Sequence, residues 1–266
     1  MYANVIVPFD GTLPARAVLA PAGDLAWHCD ARVVIVNNTE ASDKASKAAL
    51  KSRAMSMSGS DVDFWVDLDH DLGRALIEAA RHRADPIIAI PIRTKPGGLR
   101  RRPVMAAMPA QVLLESPVPV LVIGPKTDVT RGLPMTELVV ALDGSPESEQ
   151  VLPVAVQWAR ELKLDLILVG VVRAGGGGAG GHEGERRYLE ERVAAVGAEV
   201  PRTSFELLEA PDPATGLCRF LADHEDAVIA MSTHGRSGLD DHPLGSVAQG
   251  VLLESPRAML FVRPTR

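Results

Sequence analysis

The stretch NVIVPFDGTLPARAVLAPAGDLA, residues 4–26, comes back later in the chain as ELVVALDGSPESEQVLPVAVQWA, residues 137–159. In both, a β-branched apolar run ends at Asp-Gly and leads into apolar residues at helical spacing, the pattern of a strand, a tight turn and a covering helix. A second pair, QVLLESPVPVLVIGP at 111–125 and GVLLESPRAMLFVRP at 250–264, closes each copy. The chain is two copies of one unit. Asp10 to Glu115 spans 105 positions and Asp143 to Glu254 spans 111, so the second copy carries six more residues. The run AGGGGAGG at 174–181 can hold them, and its glycines predict a flexible surface loop. Between the copies, GPKTDVTRGLPMTE at 124–137 is polar and broken by Pro and Gly, as a linker should be. The expected domains are residues 1–126 and 135–266.

Within the first copy, strands are expected at residues 5–9, 32–37, 61–66, 87–90 and 118–123, with helices at 13–28 and 72–83 among the segments between them. The second copy repeats this with strands at 138–142, 166–171, 204–208, 227–231 and 258–262. Near-continuous apolar strands alternating with helices signal a parallel sheet covered on both faces. The fold class is therefore α/β, with two tandem doubly wound five-stranded parallel-sheet domains. In such folds ligands bind beyond the carboxyl ends of the strands, where the strand order reverses.

Composition narrows the partners. The net charge of −6 supplies no basic footprint for nucleic acid or an acidic membrane surface. Cys29 and Cys218 are the only cysteines, too far apart in sequence to suggest a disulfide framework or metal spacing, which fits a reducing cytoplasm. The start, MYANVIVPFDG, lacks the basic flank and long apolar core of a signal peptide, and no apolar run reaches the ~18 residues of a membrane span.

One strand end carries chemistry. In AMSTHGRSGLDDHPLGSVAQ, residues 230–249, a buried strand is expected to finish at Ser232 and a helix to open at Gly245-Ser246. Unpaired N–H groups at a helix start, with the dipole behind them, attract an anion. Gly235 and Gly245 let the backbone approach phosphate oxygens, and the Ser246 hydroxyl can donate to one. In VVALDGS, the strand ends at Asp143, whose carboxylate can accept from a ribose hydroxyl or help hold a cation. The same residues also fit plainer roles: the glycines as turn formers, Ser246 as an N-cap, Asp143 as the cap of the helix that follows it.

The segment MSTHGRSGLDDHPLGSVAQ resembles the nucleotide signature of the universal stress protein family: Gly, two residues, Gly, nine residues, Gly, then Ser or Thr. Gly235, the nine residues 236–244, Gly245 and Ser246 fit it, while Ser232 stands where the first glycine would be. VIVPFDGT, VVALDGS and ESPVPVLVIGP are similar to the family's first and last strands, so the resemblance spans both halves and points to a tandem member. It implies a Rossmann-like, adenine nucleotide α-hydrolase-like fold, a stress-response or regulatory function, and ATP as ligand, with Mg2+ as the accompanying ion to consider. Carried over by position, Asp143 would meet the ribose and Val171 the adenine. Gly235, Gly245 and Ser246 would hold phosphates, with Met231, Ser232, Val247 and Ala248 giving backbone contacts and Ala141 completing the set. Asp240 and Asp241 depart from the family's basic character in this loop and would repel a triphosphate unless a divalent cation intervenes. His242 is expected to be solvated, and His234 to make a backbone contact.

Aligning the two LLESP segments places Arg93 opposite Ser232, Pro96 opposite Gly235, Ala106 opposite Gly245 and Ala107 opposite Ser246. Pro96 also lacks a backbone donor. The N-terminal half is therefore expected to bind no nucleotide in the family's way, although Asp10 and Gly11 remain, and Arg100, Arg101 and Arg102 read as a solvated basic run. The paired copies are expected to form an intrachain pseudo-dimer through the apolar runs at 118–123 and 259–262, with homodimerisation a further option.

No Ser-His-Asp order, Walker motif or carboxylate pair with a nucleophile names an active site, so no dedicated catalysis is expected; family analogy allows slow ATP hydrolysis. The alternative to a nucleotide-binding regulator is a nucleotide-independent interaction scaffold whose site has degenerated. An α-hydrolase-type enzyme would need a Ser-Gly-Gly-x-Asp-Ser loop after its first strand, and Asp143 is followed by Gly-Ser-Pro instead.

Overall fold

The computed structural model describes residues 1–9, 17–38, 61–92, 105–130, 132–174, 179–235 and 242–265. Backbone contacts divide the chain into two compact units, Met1–Leu133 and Pro134–Arg266. In the first unit the strands are β1 (Asn4–Pro8), β2 (Arg32–Asn37), β3 (Val62–Val66), β4 (Pro86–Pro91) and β5 (Val120–Ile123), with helices α1 (Leu19–Cys29), α2 (Leu72–Arg81) and α3 (Ala107–Glu115). They pair in the order β3-β2-β1-β4-β5, every ladder parallel.

The second unit repeats the plan. Its strands are β6 (Glu137–Ala141), β7 (Asp165–Arg173), β8 (Thr203–Ala210), β9 (Ala227–Ser232) and β10 (Met259–Val262). Its helices are α4 (Pro146–Glu149), α5 (Leu152–Leu162), α6 (Ala179–Gly197), α7 (Pro213–Asp223) and α8 (Ser246–Glu254). The order is β8-β7-β6-β9-β10, again all parallel. Each unit is thus a doubly wound five-stranded parallel sheet, as the repeat predicts.

Burial follows position in the sheet. The central strands β1, β6 and β9 are buried nearly from end to end, because helices cover both their faces. The edge strands β3 and β8 are half-buried, and β8 carries Glu206 and Glu209 exposed along an edge that would otherwise offer unpaired backbone groups. Trp158 on α5 and Phe261 on β10 are among the largest fully buried side chains. Burial of each such side chain contributes roughly 1.5–3 kcal/mol, set against the conformational entropy of the ordered chain.

Two elements differ from the sequence reading. Strand β7 runs on to Arg173 because β8 keeps pairing with it, from Leu166 opposite Thr203 to Arg173 opposite Ala210. The glycine-rich run 174–181 is not a loop throughout: α6 already includes Ala179 to Gly181. The helix-favouring body GERRYLEERVAAVG propagates backward into those glycines, since extending a formed helix costs far less than nucleating one. The rest of that run, and of the helix expected at 13–28 the residues before 17, lie outside the described residues.

The end of the first unit is fastened to α1. Leu133 N–H donates to Asp24 Oδ2 at 2.6 Å, and the preceding Gly132 has φ +74°. A Cβ at Gly132 would lie 1.9 Å from the same oxygen. Gly132→Ala should therefore lose about 1–3 kcal/mol of stability through backbone strain and displacement of Asp24, read as a lowered urea midpoint with an unchanged slope.

Candidate functional site

The site lies where the chain leaves β6 to one side, toward β7, and later returns on the other side as β9. The crossovers of opposite sense leave the carboxyl ends of β6 and β9 uncovered by helices, which makes a crevice. After β6 the chain reaches Asp143, then Gly144 in the left-handed region at φ +79°, then Ser145. Asp143 Oδ1 accepts from Ser145 N–H at 3.0 Å and from Ser145 Oγ at 2.5 Å. Ser145 in turn caps α4 by accepting from Ser148 N–H at 3.2 Å, and Asp143 N–H donates to Ser148 Oγ at 3.3 Å. The carboxylate is held by the turn it helps to form.

On the other wall, Thr233 continues β9 by donating its N–H to the Val262 carbonyl at 3.0 Å, and its own carbonyl accepts from Gly245 N–H at 2.8 Å. That bond returns the chain to the strand end and fixes where α8 begins. Gly245 is the N-cap and supplies no side-chain acceptor, and the first bond within the helix is Gln249 N–H to the Gly245 carbonyl at 2.9 Å. The N–H groups of Ser246, Val247 and Ala248 consequently have no acceptor within the helix. Ser246 occupies the first helical position rather than the cap.

Gly235 and Asp143 fit against each other. A Cβ at Gly235 would lie 2.2 Å from Asp143 Oδ2, so any larger residue there must displace the carboxylate or move the chain. The glycine is a packing requirement of Asp143.

These walls enclose a cavity of about 330 Å³. All ten residues singled out in the sequence border it: Ala141, Asp143, Val171, Met231, Ser232, Gly235, Gly245, Ser246, Val247 and Ala248. Asp240 and Asp241 lie outside the described residues, as do Arg93, Pro96, Asp10 and Arg100 to Arg102. His242 is exposed. His234 is buried at the cavity wall, with Nδ1 3.1 Å from Thr233 Oγ1. The Ser232 hydroxyl is buried and has no hydrogen-bond partner among the described residues. Among the described residues, no three His, Cys, Asp or Glu side chains converge to hold a metal ion.

Several lining residues escaped the sequence reading. Val169 is legible in hindsight, two positions before Val171 and therefore on the same face of β7. Pro213 and Leu217 come from α7, four residues apart on one helix face. Glu185 comes from α6, and no local signal marked it, because only the packing of α6 brings it over the strand ends. Near it, Arg192 of α6 pairs with Glu149 of α4 at 3.2 Å and lies over the Tyr188 ring at 5.7 Å from its centroid. Burial, reinforced by the neighbouring Glu149 carboxylate, pushes the Tyr188 phenol well above its ordinary value, so it stays protonated.

In the first unit, the counterpart helix α3 also opens without a side-chain cap, at Ala106, but its first residue is Ala107, with no hydroxyl to offer.

Comparison with known proteins places this geometry in context. The model for the family described as "Universal stress protein family" matches residues 135–263. No curated protein matches the chain in sequence. Among solved structures, a universal stress protein from Archaeoglobus fulgidus DSM 4304 is 18% identical with a TM-score of 0.70, the match covering 99% of each chain. A functionally unknown protein from Pseudomonas aeruginosa PAO1 is 17% identical with a TM-score of 0.70, over 99% of this chain and 93% of the other. The cytoplasmic domain of a prokaryotic cation chloride cotransporter also matches, at 11% identity and TM-score 0.56, over 98% and 95%. At these identities the likeness is one of fold.

Helix α7, which supplies Pro213 and Leu217 to the cavity, is itself held by its cap. Asp212 accepts from Thr215 N–H at 3.0 Å and from Thr215 Oγ1 at 2.7 Å. The Thr215 backbone and side-chain bonds hold its carboxyl below the ordinary 3.8. A carboxyl lowered in the folded state contributes stability above its unfolded pKa, and that contribution is lost as pH falls through the folded value. Asp212→Ala should thus lower the thermal midpoint at neutral pH, and the gap from wild type should shrink as the pH is taken below about 4.

Proposed function

The C-terminal half of the chain, residues 135–263, is a universal stress protein domain, and we propose that its cavity binds an adenine nucleotide as the ligand of a stress-response regulator. The observation that carries this reading is the pairing of two unlike walls on one cavity. The uncapped start of α8 offers N–H donors on one side, and the Asp143 carboxylate offers acceptors on the other.

Each part of a nucleotide has a matching surface. Val169, Val171, Leu217 and Met231 supply an apolar slot for the base. Asp143 accepts from ribose hydroxyls, its Oδ1 already oriented by Ser145. The N–H groups of Ser246, Val247 and Ala248, backed by the α8 dipole, and the Ser246 hydroxyl receive phosphate oxygens, with Gly235 and Gly245 leaving the backbone open to approach. When ATP is the ligand, Mg2+ arrives with it and neutralises its phosphates. The first unit, with Ala107 where the second has Ser246, takes no part in this binding.

Titration of the nucleotide-stripped chain with ATP and Mg2+ tests the reading, and the expected stoichiometry is one nucleotide per chain. Gly235→Val combined with Ser246→Ala should weaken binding at least about tenfold, or ~1.4 kcal/mol, by displacing Asp143 and removing a phosphate donor. Saturable binding with affinity unchanged in that double variant would place the ligand elsewhere. A chain that binds no adenine nucleotide would favour the nucleotide-independent scaffold.

A further inference from the structure

Helix α1 and its counterpart α5 close on the same backbone and carry opposite side chains. Each is capped by a residue in the left-handed region, Asp30 at φ 52° and Lys163 at φ 58°. Each is locked by the same bond, Ala31 N–H to the Ala26 carbonyl at 2.8 Å and Leu164 N–H to the Ala159 carbonyl at 2.9 Å. The strand that follows starts on one half of an ion pair whose signs are exchanged: Arg32 with Asp61 at 3.0 Å in the first unit, Asp165 with Arg202 at 2.8 Å in the second. In the last helical turn, the first unit has Trp27 where the second has Arg160.

The second unit follows the electrostatic rule for a helix end, and the first breaks it. The carbonyls at a helix end carry about half a negative elementary charge, which cations in the last turn and at the cap offset. Arg160 and Lys163 stand in those places on α5. On α1, Asp30 adds a negative charge instead, and His28, the basic residue of the last turn, is turned onto the Asp24 carbonyl at 2.7 Å. Asp30 is exposed, and its carboxylate has no hydrogen-bond or ion-pair partner among the described residues. Trp27 is 68% exposed. The duplicate helix forms the same cap with Arg and Lys, so the fold requires neither Trp27 nor Asp30. A local rule broken without structural need points to a functional position.

Trp27 and Asp30 border one cavity. It measures about 440 Å³, lies at the amino ends of β1 and β2, and is also lined by Asn4, Arg32 and Asp61. Arg32 directs both Nε and Nη2 to Asp61 Oδ2, each at 3.0 Å, which leaves Asp61 Oδ1 open to a further donor. Two carboxylates against one guanidinium, with the negative end of α1 behind them, attract a cation. The Trp27 ring adds a cation–π contribution and an apolar surface.

We propose that this cavity binds a small organic cation, a primary amine on an aliphatic arm. The Asp30 carboxylate accepts from the ammonium, Asp61 Oδ1 is its second acceptor, and the arm lies against Trp27. The site belongs to the first unit alone and stands independently of the nucleotide reading of the second.

The test is titration of the full-length chain with 1,4-diaminobutane at low ionic strength, read by calorimetry and tryptophan emission, with 1,4-butanediol as the uncharged control of equal length. Trp158 is fully buried and Trp65 half-buried, so a change in emission reports chiefly on Trp27. Saturable binding of one diamine per chain is expected, and none of the diol. Asp30→Asn, which keeps the shape and suits the left-handed backbone, should weaken the diamine about threefold, and Trp27→Ala should do the same. Asp30→Lys, the second unit's residue, should weaken it by about tenfold or more while leaving the thermal midpoint equal to wild type or above it, because it places a cation at the helix end. A diamine that binds no better than the diol, or with unchanged affinity in both Asp30 variants, would overturn the proposal. Lost affinity accompanied by a lowered midpoint in both Asp30 variants would assign Asp30 to the fold and overturn its role as a ligand.

Discussion

The reversal of strand order beside β6 is the constraint on which the rest of the second unit depends. A chain that builds parallel strands with right-handed crossovers must place helices on opposite faces of the sheet when it changes direction. Helices α7 and α8 share a face and pack closely, a Cβ at Gly250 being only 2.7 Å from the Cβ of Ala214. The strand ends between the two directions have no helix above them, and backbone polar groups there must find other partners. The bond from Gly245 N–H to the Thr233 carbonyl meets part of that demand. The groups left over, at the first turn of α8, face the cavity.

The same constraint explains why the site is compact although its residues are scattered in sequence. Asp143 and Gly235 are far apart along the chain, yet each limits the other, since the carboxylate occupies the space that a side chain at 235 would need. The turn at Asp143, Gly144 and Ser145 serves the fold by starting α4 and serves the site by aiming a carboxylate across the crevice. Asp143 both forms the turn and borders the cavity, so a substitution there would disturb both.

The two units share a topology and differ in what stands at the strand ends. In the second, Gly245 and Ser246 open α8; in the first, Ala106 and Ala107 open α3. Both helices begin without a side-chain cap, so the two units share this backbone arrangement while their side chains differ. A fold maintained by buried strands and crossovers places little demand on the loops above it, which leaves those loops open to change.

The amino-acid sequence by itself determined the repeat, the alternation of strands and helices, and the ten residues that turn out to border one cavity. The repeat and the alternation were legible as local signals, apolar runs bounded by Asp-Gly or Pro, and so were Asp143, Gly235, Gly245 and Ser246 at the strand ends; the other six residues followed from the family resemblance. Tertiary structure alone decided the continuation of β7 to Arg173, since it depends on pairing with β8. The backward growth of α6 into the glycine run is a local effect instead, helix propagation overriding the poor propensity of glycine. The arrival of Glu185, Pro213 and Leu217 at the cavity was again decided by tertiary structure. Each of those side chains sits on a helix whose own sequence says which face is apolar, but the helix's position over the strand ends is set by packing against other elements, and no pattern within the helix encodes that.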